Sequence, residues 1–176
     1  MRMKSKIKFV AYVAASIDGR ISESSHSKID WTSEEDWNFL QKSLKKFDAV
    51  VVGSHTYKIA EKSLKKRNTI VFTSKVKKSK VSGSVTFLNP EHSNVRDLLR
   101  KNKYRRVAIL GGPEVYNFFL KNNMLHELFV TIEPYIFTSG VPMFSGKKFE
   151  KYRFKLLSIK KLNGRGTILL RYKNAS

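Results

Sequence analysis

The sequence contains no cysteine, and this absence removes several kinds of chemistry. Disulfides, thiolate metal sites and cysteine nucleophiles are all excluded. No run of residues is both long and apolar enough to cross a bilayer. The GxGxxG dinucleotide fingerprint, the P-loop and the HxE and PCxxC signatures of zinc deaminases are all missing. We predict no metal site, and any nucleotide site must be built from other motifs.

Acidic residues are also scarce, with 14 Asp and Glu against 35 Lys and Arg, for a net charge of +21. Such a surplus favours anionic partners, namely nucleic acid, a membrane surface or a phosphorylated small molecule. The alternative is a merely solvated basic surface. The densest basic runs, 75–84 and 100–106, do not alternate cations with aromatic residues as a nucleic-acid platform does. We therefore expect a small-molecule substrate, with no specific nucleic acid and no membrane as partner.

The N-terminal segment has a basic start and a short apolar stretch, which is the outline of a signal peptide. However, the stretch runs directly into Asp18, Gly19 and Arg20, and we interpret it as a first core strand. We therefore expect a cytoplasmic protein. The length of 176 residues predicts a single domain over 1–176.

Strand-like and helix-like segments alternate along the chain. Helical spacing predicts helices at 33–47, with Ser33 as N-cap, and at 55–64, 94–102 and 113–123. Apolar runs predict strands at 7–16, 48–54, 68–74, 85–88, 106–112 and 127–137, and a hairpin over 154–173. Buried strands that alternate with short helices are typical of a parallel sheet covered on both faces. We predict an α/β fold with three layers (α/β/α), a mostly parallel central sheet and an antiparallel C-terminal hairpin at its edge.

Three predicted strands end in glycine or hydroxyl residues: "VVVGSHT" (50–56), "IVFTSK" (70–75) and "AILGGPEVY" (108–116). A glycine where a strand turns into a helix lets an anion approach free backbone N–H groups and the positive end of the helix. Three such ends predict one extended phosphate-bearing ligand at the carboxyl edge of the sheet. Independent turn chemistry remains the alternative.

The order of motifs resembles the dihydrofolate reductase superfamily, including its riboflavin-biosynthesis reductase branch. The resemblance implies a dihydrofolate reductase-like fold and an NADPH-dependent hydride transfer to a pterin-like or pyrimidine ring. The matching segments are "AASIDGRI" (14–21), "DWTSEEDWNFL" (30–40), "VVVGSHTYK" (50–58), "RNTIVFTSK" (67–75), "AILGGPEVYNFFL" (108–120) and "LHELFVTIEPYIFTSGVPMF" (125–144).

Carried over to this sequence, the resemblance implies an NADPH site at the three strand ends. The side chains and backbone expected to contact the phosphates are Gly53, Ser54, His55, Thr56, Gly111, Gly112, Pro113, Glu114, Val115 and Tyr116. Thr73, Ser74 and Lys75 would meet the adenosine 2′-phosphate, and Ala15 and Ile21 would flank the nicotinamide. For His55, an exposed helix-start residue without a ligand is the alternative.

The resemblance also implies a carboxylate that orients the substrate ring and supports its protonation. Asp36 lies five residues after Trp31, a spacing similar to that of the family, and Thr131 resembles the threonine that supports this carboxylate. Counting back from Phe39 or Gly53 selects Glu35 instead. A third possibility is that these acids only stabilise the helix dipole, by roughly 0.3–1 kcal/mol each.

The substrate is left open by the sequence. Ser16, Asp18 and Arg20 resemble the riboflavin-branch pattern, in which the cation would meet a substrate phosphate and the other two a ribose. Trp31 and Phe39 fit the folate side better, although the "LPW" motif of dihydrofolate reductase proper is missing. A non-catalytic NADPH-binding protein is a further alternative. Since riboflavin-branch relatives pair through sheet edges, we expect a homodimer.

Overall fold

The computed structural model describes residues 6–24, 27, 30–146 and 148–175. Four helices are found there: α1 (Glu34–Leu44), α2 (Ser54–Leu64), α3 (Val95–Lys101) and α4 (Pro113–Lys121). The strands are β1 (Lys8–Ala15), β2 (Arg20–Ser22), β3 (Ala49–Gly53), β4 (Thr69–Phe72), β5 (Ser79–Ser82), β6 (Val85–Leu88), β7 (Arg106–Ile109), β8 (Glu127–Ile132), β9 (Val141–Pro142), β10 (Phe154–Lys161) and β11 (Ile168–Asn174). No helix in these residues has the length and hydropathy needed to cross a membrane.

A nine-stranded sheet forms the centre of the fold, in the order β10-β11-β8-β1-β7-β3-β4-β6-β5. The six strands from β8 to β6 in this order are parallel. The C-terminal strand β11 is antiparallel to β8, and β10 is antiparallel to β11. A mostly parallel sheet with an antiparallel C-terminal hairpin at its edge is therefore confirmed.

The alternation of side chains in β3 shows why helices cover both faces of the sheet. Val50 and Val52 belong to one apolar cluster, which contains Leu44 of α1 and Leu64 of α2. The intervening residue Val51 belongs to a second cluster, on the opposite face, together with residues of α3 and α4. Because every residue of this strand is apolar, it is stable only between two helical layers. The predicted α/β/α arrangement is confirmed.

The structure also departs from the sequence prediction at several elements. The strand predicted over 127–137 ends at Ile132, because residues 133–140 form a loop that packs on the β1–β2 turn. The short strands β2 and β9 pair only with each other, and β5 extends the far edge of the sheet. All four residues of β5 are exposed, so this strand has no apolar alternation that the sequence could reveal.

Candidate active site

A large open cleft lies at the carboxyl edge of the parallel strands, where open α/β sheets bind their ligands. Its volume is about 1680 Å³. A pocket for one drug-sized ligand usually measures roughly 300–1,000 Å³. The cleft is therefore large enough for two ligands side by side, such as a dinucleotide and a second ring.

The three strand ends singled out in the sequence come together in this cleft. Strands β7, β3 and β4 are consecutive neighbours and run parallel, so their carboxyl ends share one edge. The first two are joined directly there, since the Gly53 N–H donates to the Gly111 carbonyl at 2.8 Å. The predicted cofactor residues that line the cleft are Ile21, Gly53, Ser54, His55, Thr56, Thr73, Ser74, Lys75, Gly112, Pro113, Glu114, Val115 and Tyr116.

Helices α2 and α4, which follow β3 and β7, differ from α1 and α3 in their N-terminal caps. Ser33 caps α1 and Asn94 caps α3, each through a side-chain oxygen. In contrast, the N-cap residue is Gly53 in α2 and Gly112 in α4, and neither helix has a side-chain cap. Uncapped N–H groups at two neighbouring helix ends are suited to binding anionic groups. A Cβ built on Gly112 meets no atom within 4 Å, so a ligand has access to the backbone there.

The adjacent Gly111 is required by packing beneath the cleft rather than by the cleft surface. It has a φ of +94°, and a Cβ at this position would lie 2.8 Å from ring atoms of Tyr116. The Tyr116 ring is held in place by its hydroxyl, which donates to the Tyr12 carbonyl at 2.6 Å. Burial raises the pKa of Tyr116 well above its usual range, so the hydroxyl stays protonated as a donor. Of the two glycines, Gly111 makes room for the tyrosine and Gly112 leaves the helix end open.

The structure distinguishes between the two candidate carboxylates by their location. Asp36 lines the cleft and is only 9% exposed. Burial raises its pKa, while a hydrogen bond from Thr131, which also lines the cleft, works in the opposite direction. Glu35 lies outside the cleft lining, where it accepts hydrogen bonds from Asn163 and Arg165. The hydrogen bond from Asn163 is the main cause of the lowered pKa of Glu35. The geometry favours Asp36.

Several side chains predicted to contact substrate form hydrogen bonds within the fold. The Ser16 hydroxyl donates to Asp18 at 2.6 Å and accepts the Arg20 N–H at 2.9 Å. The Asp18 carboxylate also accepts the N–H groups of residues 137 and 138, and the Arg20 guanidinium donates to the Gly140 carbonyl. These three residues thus fasten the loop after β8 to the β1–β2 turn and are not part of the cleft lining.

Two further predicted residues are also outside the cleft lining. Trp31 packs edge-on against the rings of Tyr135 and Phe137. Ala15 is fully buried, and its carbonyl accepts the Glu133 N–H at 2.9 Å. Phe39, in contrast, lines the cleft as predicted for a substrate contact.

One wall of the cleft was missed by the sequence reasoning. By its spacing, Trp37 shares one face of α1 with Leu40 and Leu44, yet it is 52% exposed and lines the cleft. A row of lysines from α2 and the residues after it also lines the cleft: Lys58, Lys62 and Lys66. Their spacing of four residues was the signal that could have identified them as one helix face. None of the three forms an ion pair with another described residue.

Comparisons with known proteins agree with this architecture. The family described as dihydrofolate reductase matches residues 8–164, and the chain therefore belongs to this family. It is 30% identical over 145 residues to the uncharacterized protein YwjB of Bacillus subtilis, covering 78% of this chain and 82% of that protein.

Solved structures show the same fold at low sequence identity. RibD of Acinetobacter baumannii superposes with a TM-score of 0.77 at 18% identity, covering 98% of this chain and 59% of that one. A second solved structure is the diaminohydroxyphosphoribosylaminopyrimidine deaminase/5-amino-6-(5-phosphoribosylamino)uracil reductase of Thermotoga maritima. It superposes with a TM-score of 0.73 at 18% identity, covering 98% of this chain and 58% of that one. The chain thus spans about three fifths of the length of these two proteins.

Proposed function

We propose that the chain is an NADPH-dependent reductase that transfers a hydride to a pyrimidine ring, in a reaction of the 5-amino-6-(5-phosphoribosylamino)uracil reductase type. The observation that carries this proposal is the presence of two uncapped helix ends and a buried carboxylate in one cleft. When bound, NADPH supplies the hydride. The helix ends at Gly53 and Gly112 would hold its diphosphate, and Ser74 with Lys75 its 2′-phosphate.

Asp36 would bind the pyrimidine ring of the substrate. A carboxylate that is nine-tenths buried can accept hydrogen bonds from the amino and N–H groups of a pyrimidine edge and favour a protonated ring. Thr131 would hold the carboxylate in place through its hydrogen bond. The rings of Phe39, Tyr12 and Phe129 pack against one another and form an apolar wall of the cleft. These residues orient the substrate and sustain charge on its ring.

The lysine row gives this chain a place for an anionic part of the substrate. Ser16, Asp18 and Arg20 hydrogen-bond to one another and to the loop after β8, and none of the three lines the cleft. Lys58, Lys62 and Lys66 would supply the positive charge for a substrate phosphate instead. Dihydrofolate or another pteridine is the second candidate, since the family match and the half-exposed Trp37 beside the cleft also suit a larger ring system.

A screen of NADPH oxidation tests the proposal. Purified protein is given the riboflavin pyrimidine intermediate, dihydrofolate and dihydropterins in turn, and absorbance at the nicotinamide band is followed. We expect turnover with the phosphorylated pyrimidine. Replacing the three cleft lysines by glutamine should raise its KM, whereas the matched triple variant of the exposed residues Lys45, Lys46 and Lys101, which lie outside the cleft lining, should not. Equal KM values in the two triple variants would contradict the role of the lysine row.

The same protein preparation separates the competing hypotheses. A non-catalytic NADPH-binding protein would bind NADPH and oxidise it with none of these substrates. A nucleic-acid binder would shift labelled DNA or RNA with an affinity that falls steeply with salt, because phosphate contacts release counterions. We expect no specific nucleic-acid binding.

We further propose that two copies of the chain pair through β10. This strand is eight residues long and contacts only β11 in the described sheet, so its outer edge is open. It also exposes Leu156, Leu157 and Ile159, which is unfavourable for a solvated edge. Sedimentation equilibrium should give a dimer mass, and Ile159→Glu should shift it towards the monomer. A monomer mass for the unmodified chain would contradict this proposal.

A further inference from the structure

A buried glutamate, Glu133, joins two parts of the fold that are distant in sequence. It follows β8 directly and is only 2% exposed. Its Oε1 accepts the backbone N–H of Ser33 at 2.7 Å, and its Oε2 accepts the Thr167 hydroxyl at 2.7 Å. One carboxylate therefore connects the start of α1 with the turn between β10 and β11.

The β10–β11 turn also contacts the start of α1 at a second position, the Glu35 side chain. The Asn163 amide donates both to Thr167 Oγ1, at 2.9 Å, and to Glu35 Oε2, at 3.1 Å. Arg165 of the same turn adds an ion pair to Glu35 at 3.3 Å. The first turn of α1 is thus held through the Ser33 backbone and through the Glu35 side chain.

Asp36 lies next along this chain of contacts. The Ser33 hydroxyl accepts the Asp36 N–H at 3.3 Å, so fixing Ser33 also fixes the backbone of Asp36. Thr131, which hydrogen-bonds the Asp36 carboxyl, lies two residues before Glu133 on the same strand end. A buried carboxylate is costly to the fold unless it is fully hydrogen-bonded, and an apolar side chain of similar size would pack there without that cost. The hydrogen bonds from Ser33 and Thr167 offset this cost, and they join two segments that an apolar side chain would leave unconnected.

We infer that Glu133 is a positioning residue, which sets the place of Asp36 in the cleft by holding the N-terminus of α1. This inference rests on the proposed function, because it concerns the carboxylate that the reductase would use. A misplacement of about 1 Å at a reacting centre can cost on the order of 10²-fold in rate. The cleft end of α1 therefore needs a fixed anchor, and Glu133 supplies one.

Glu133 also influences the charge state of Asp36. Of the groups that face Asp36, Glu133 raises its pKa by like charge in addition to burial, and Thr131 lowers it. Tyr116, on α4, is protonated and uncharged. Glu35 and Arg165 pair with each other outside the cleft lining. Removing the charge of Glu133 should therefore lower the pKa of Asp36.

The first measurement needs no variant and no substrate. Ser33 is the N-cap of α1, and the amide of an N-cap residue has no partner within its own helix. If Glu133 holds it, this amide exchanges with solvent about 100-fold or more slowly than an open loop amide. Exchange at the open-loop rate would overturn the inference.

Three variants then separate position from charge. Glu133→Gln keeps an acceptor for Ser33, and Glu133→Met keeps only the size. The control Glu127→Gln removes a buried carboxylate at the other end of the same strand, about 20 Å away. The Asp36 carboxyl is followed by carbon-13 NMR titration, with its signal assigned from Asp36→Asn. We expect a lower Asp36 pKa in both Glu133 variants and an unchanged one in the control.

Turnover supplies the readout that a purely structural role would not move. We expect kcat to fall by about 10–100-fold in Glu133→Met, with partial rescue in Glu133→Gln and little change in the dissociation constant for NADPH. If Glu133→Met does not fold, Thr167→Val removes the hydroxyl that donates to Glu133 and accepts from Asn163, and it should speed the exchange of the Ser33 amide. The inference is contradicted if the Ser33 amide exchanges at an unchanged rate in that variant. It is also contradicted if the pKa of Asp36 is the same in the Glu133 variants as in the unmodified protein. If the unmodified protein shows no turnover, the proposed function is rejected. The Asp36 pKa and the Ser33 amide exchange, both measured by NMR, would still decide whether Glu133 positions Asp36.

Discussion

The paired glycines between β7 and α4 provide a sharp test, because a methyl group added at each should have a different effect. At Gly111, alanine would have to adopt a φ of +94° and place its Cβ 2.8 Å from the Tyr116 ring. The left-handed conformation costs a side-chain-bearing residue about 1–2 kcal/mol. The clash with a fully buried ring adds about 1–3 kcal/mol, as overpacking usually does. Gly111→Ala should therefore lower the free energy of unfolding by about 2–5 kcal/mol.

Gly112→Ala is the matched control for stability and the test for binding. Gly112 has a φ of −80°, and its Cβ would meet no atom within 4 Å. The fold should therefore tolerate alanine at this position with a change of less than about 1 kcal/mol. The added methyl would stand at the open N-terminus of α4, where phosphate oxygens need to come within roughly 2.9 Å of the backbone. We expect the affinity for NADPH to fall tenfold or more.

Thermal unfolding and NADPH titration of the two variants test these expected effects on stability and on cofactor affinity. For a chain of this size, the loss expected for Gly111→Ala corresponds to a fall in Tm of about 4–20 °C. Gly112→Ala should keep the Tm of the unmodified protein and lose cofactor affinity. The reasoning fails if Gly111→Ala is as stable as the unmodified chain, or if Gly112→Ala binds NADPH equally well.

Three further predictions concern the buried residues of the cleft. Asp36→Asn should lower kcat by about 10²-fold or more with NADPH affinity retained, while Glu35→Gln changes kcat little; steady-state kinetics and fluorescence titration measure both. Burial raises the pKa of Asp36 in the folded state above its value in the unfolded state. The contribution of Asp36 to the free energy of unfolding is therefore most favourable below the unfolded-state pKa, and it is lost as pH rises through the folded-state pKa. Asp36→Asn should accordingly be more stable than the unmodified protein at pH 8, with the gap closing in acid, and equal urea midpoints at pH 8 would contradict this. Tyr116→Phe removes the hydroxyl that donates to the buried Tyr12 carbonyl and should lower unfolding free energy by about 1–3 kcal/mol in urea titrations.

The main elements of the fold could be predicted because their signals are local. The apolar run of β3 and the cap at Ser33 each act within a few residues, and both were found where expected. Parallel strands have their carboxyl ends at one edge, so the meeting of the ends of β3, β4 and β7 could be predicted, whereas their order in the sheet was not. Strand β5 was missed because its exposed polar residues carry no periodic pattern.

The details of the site depended on contacts between distant segments. Glu35 and Asp36 are neighbours in the sequence, and only the position of the β10–β11 turn shows that the first is engaged there and the second faces the cleft. Likewise, Asp18 was expected to touch a ribose, but two backbone amides of the loop after β8 take up its carboxylate. Trp37 lies on the apolar face of α1 by spacing, yet the cleft leaves it half exposed. No local pattern encodes these outcomes.

The most direct test of the account is an NADPH titration followed residue by residue through backbone amide NMR signals. The central claim is that the ends of β3, β4 and β7 hold one phosphorylated nicotinamide cofactor. The account predicts that the amide signals of residues 53–56, 73–75, 112 and 114–116 shift together with a single dissociation constant. Signals that stay unchanged up to millimolar NADPH, or that shift at only one of the three strand ends, would contradict it.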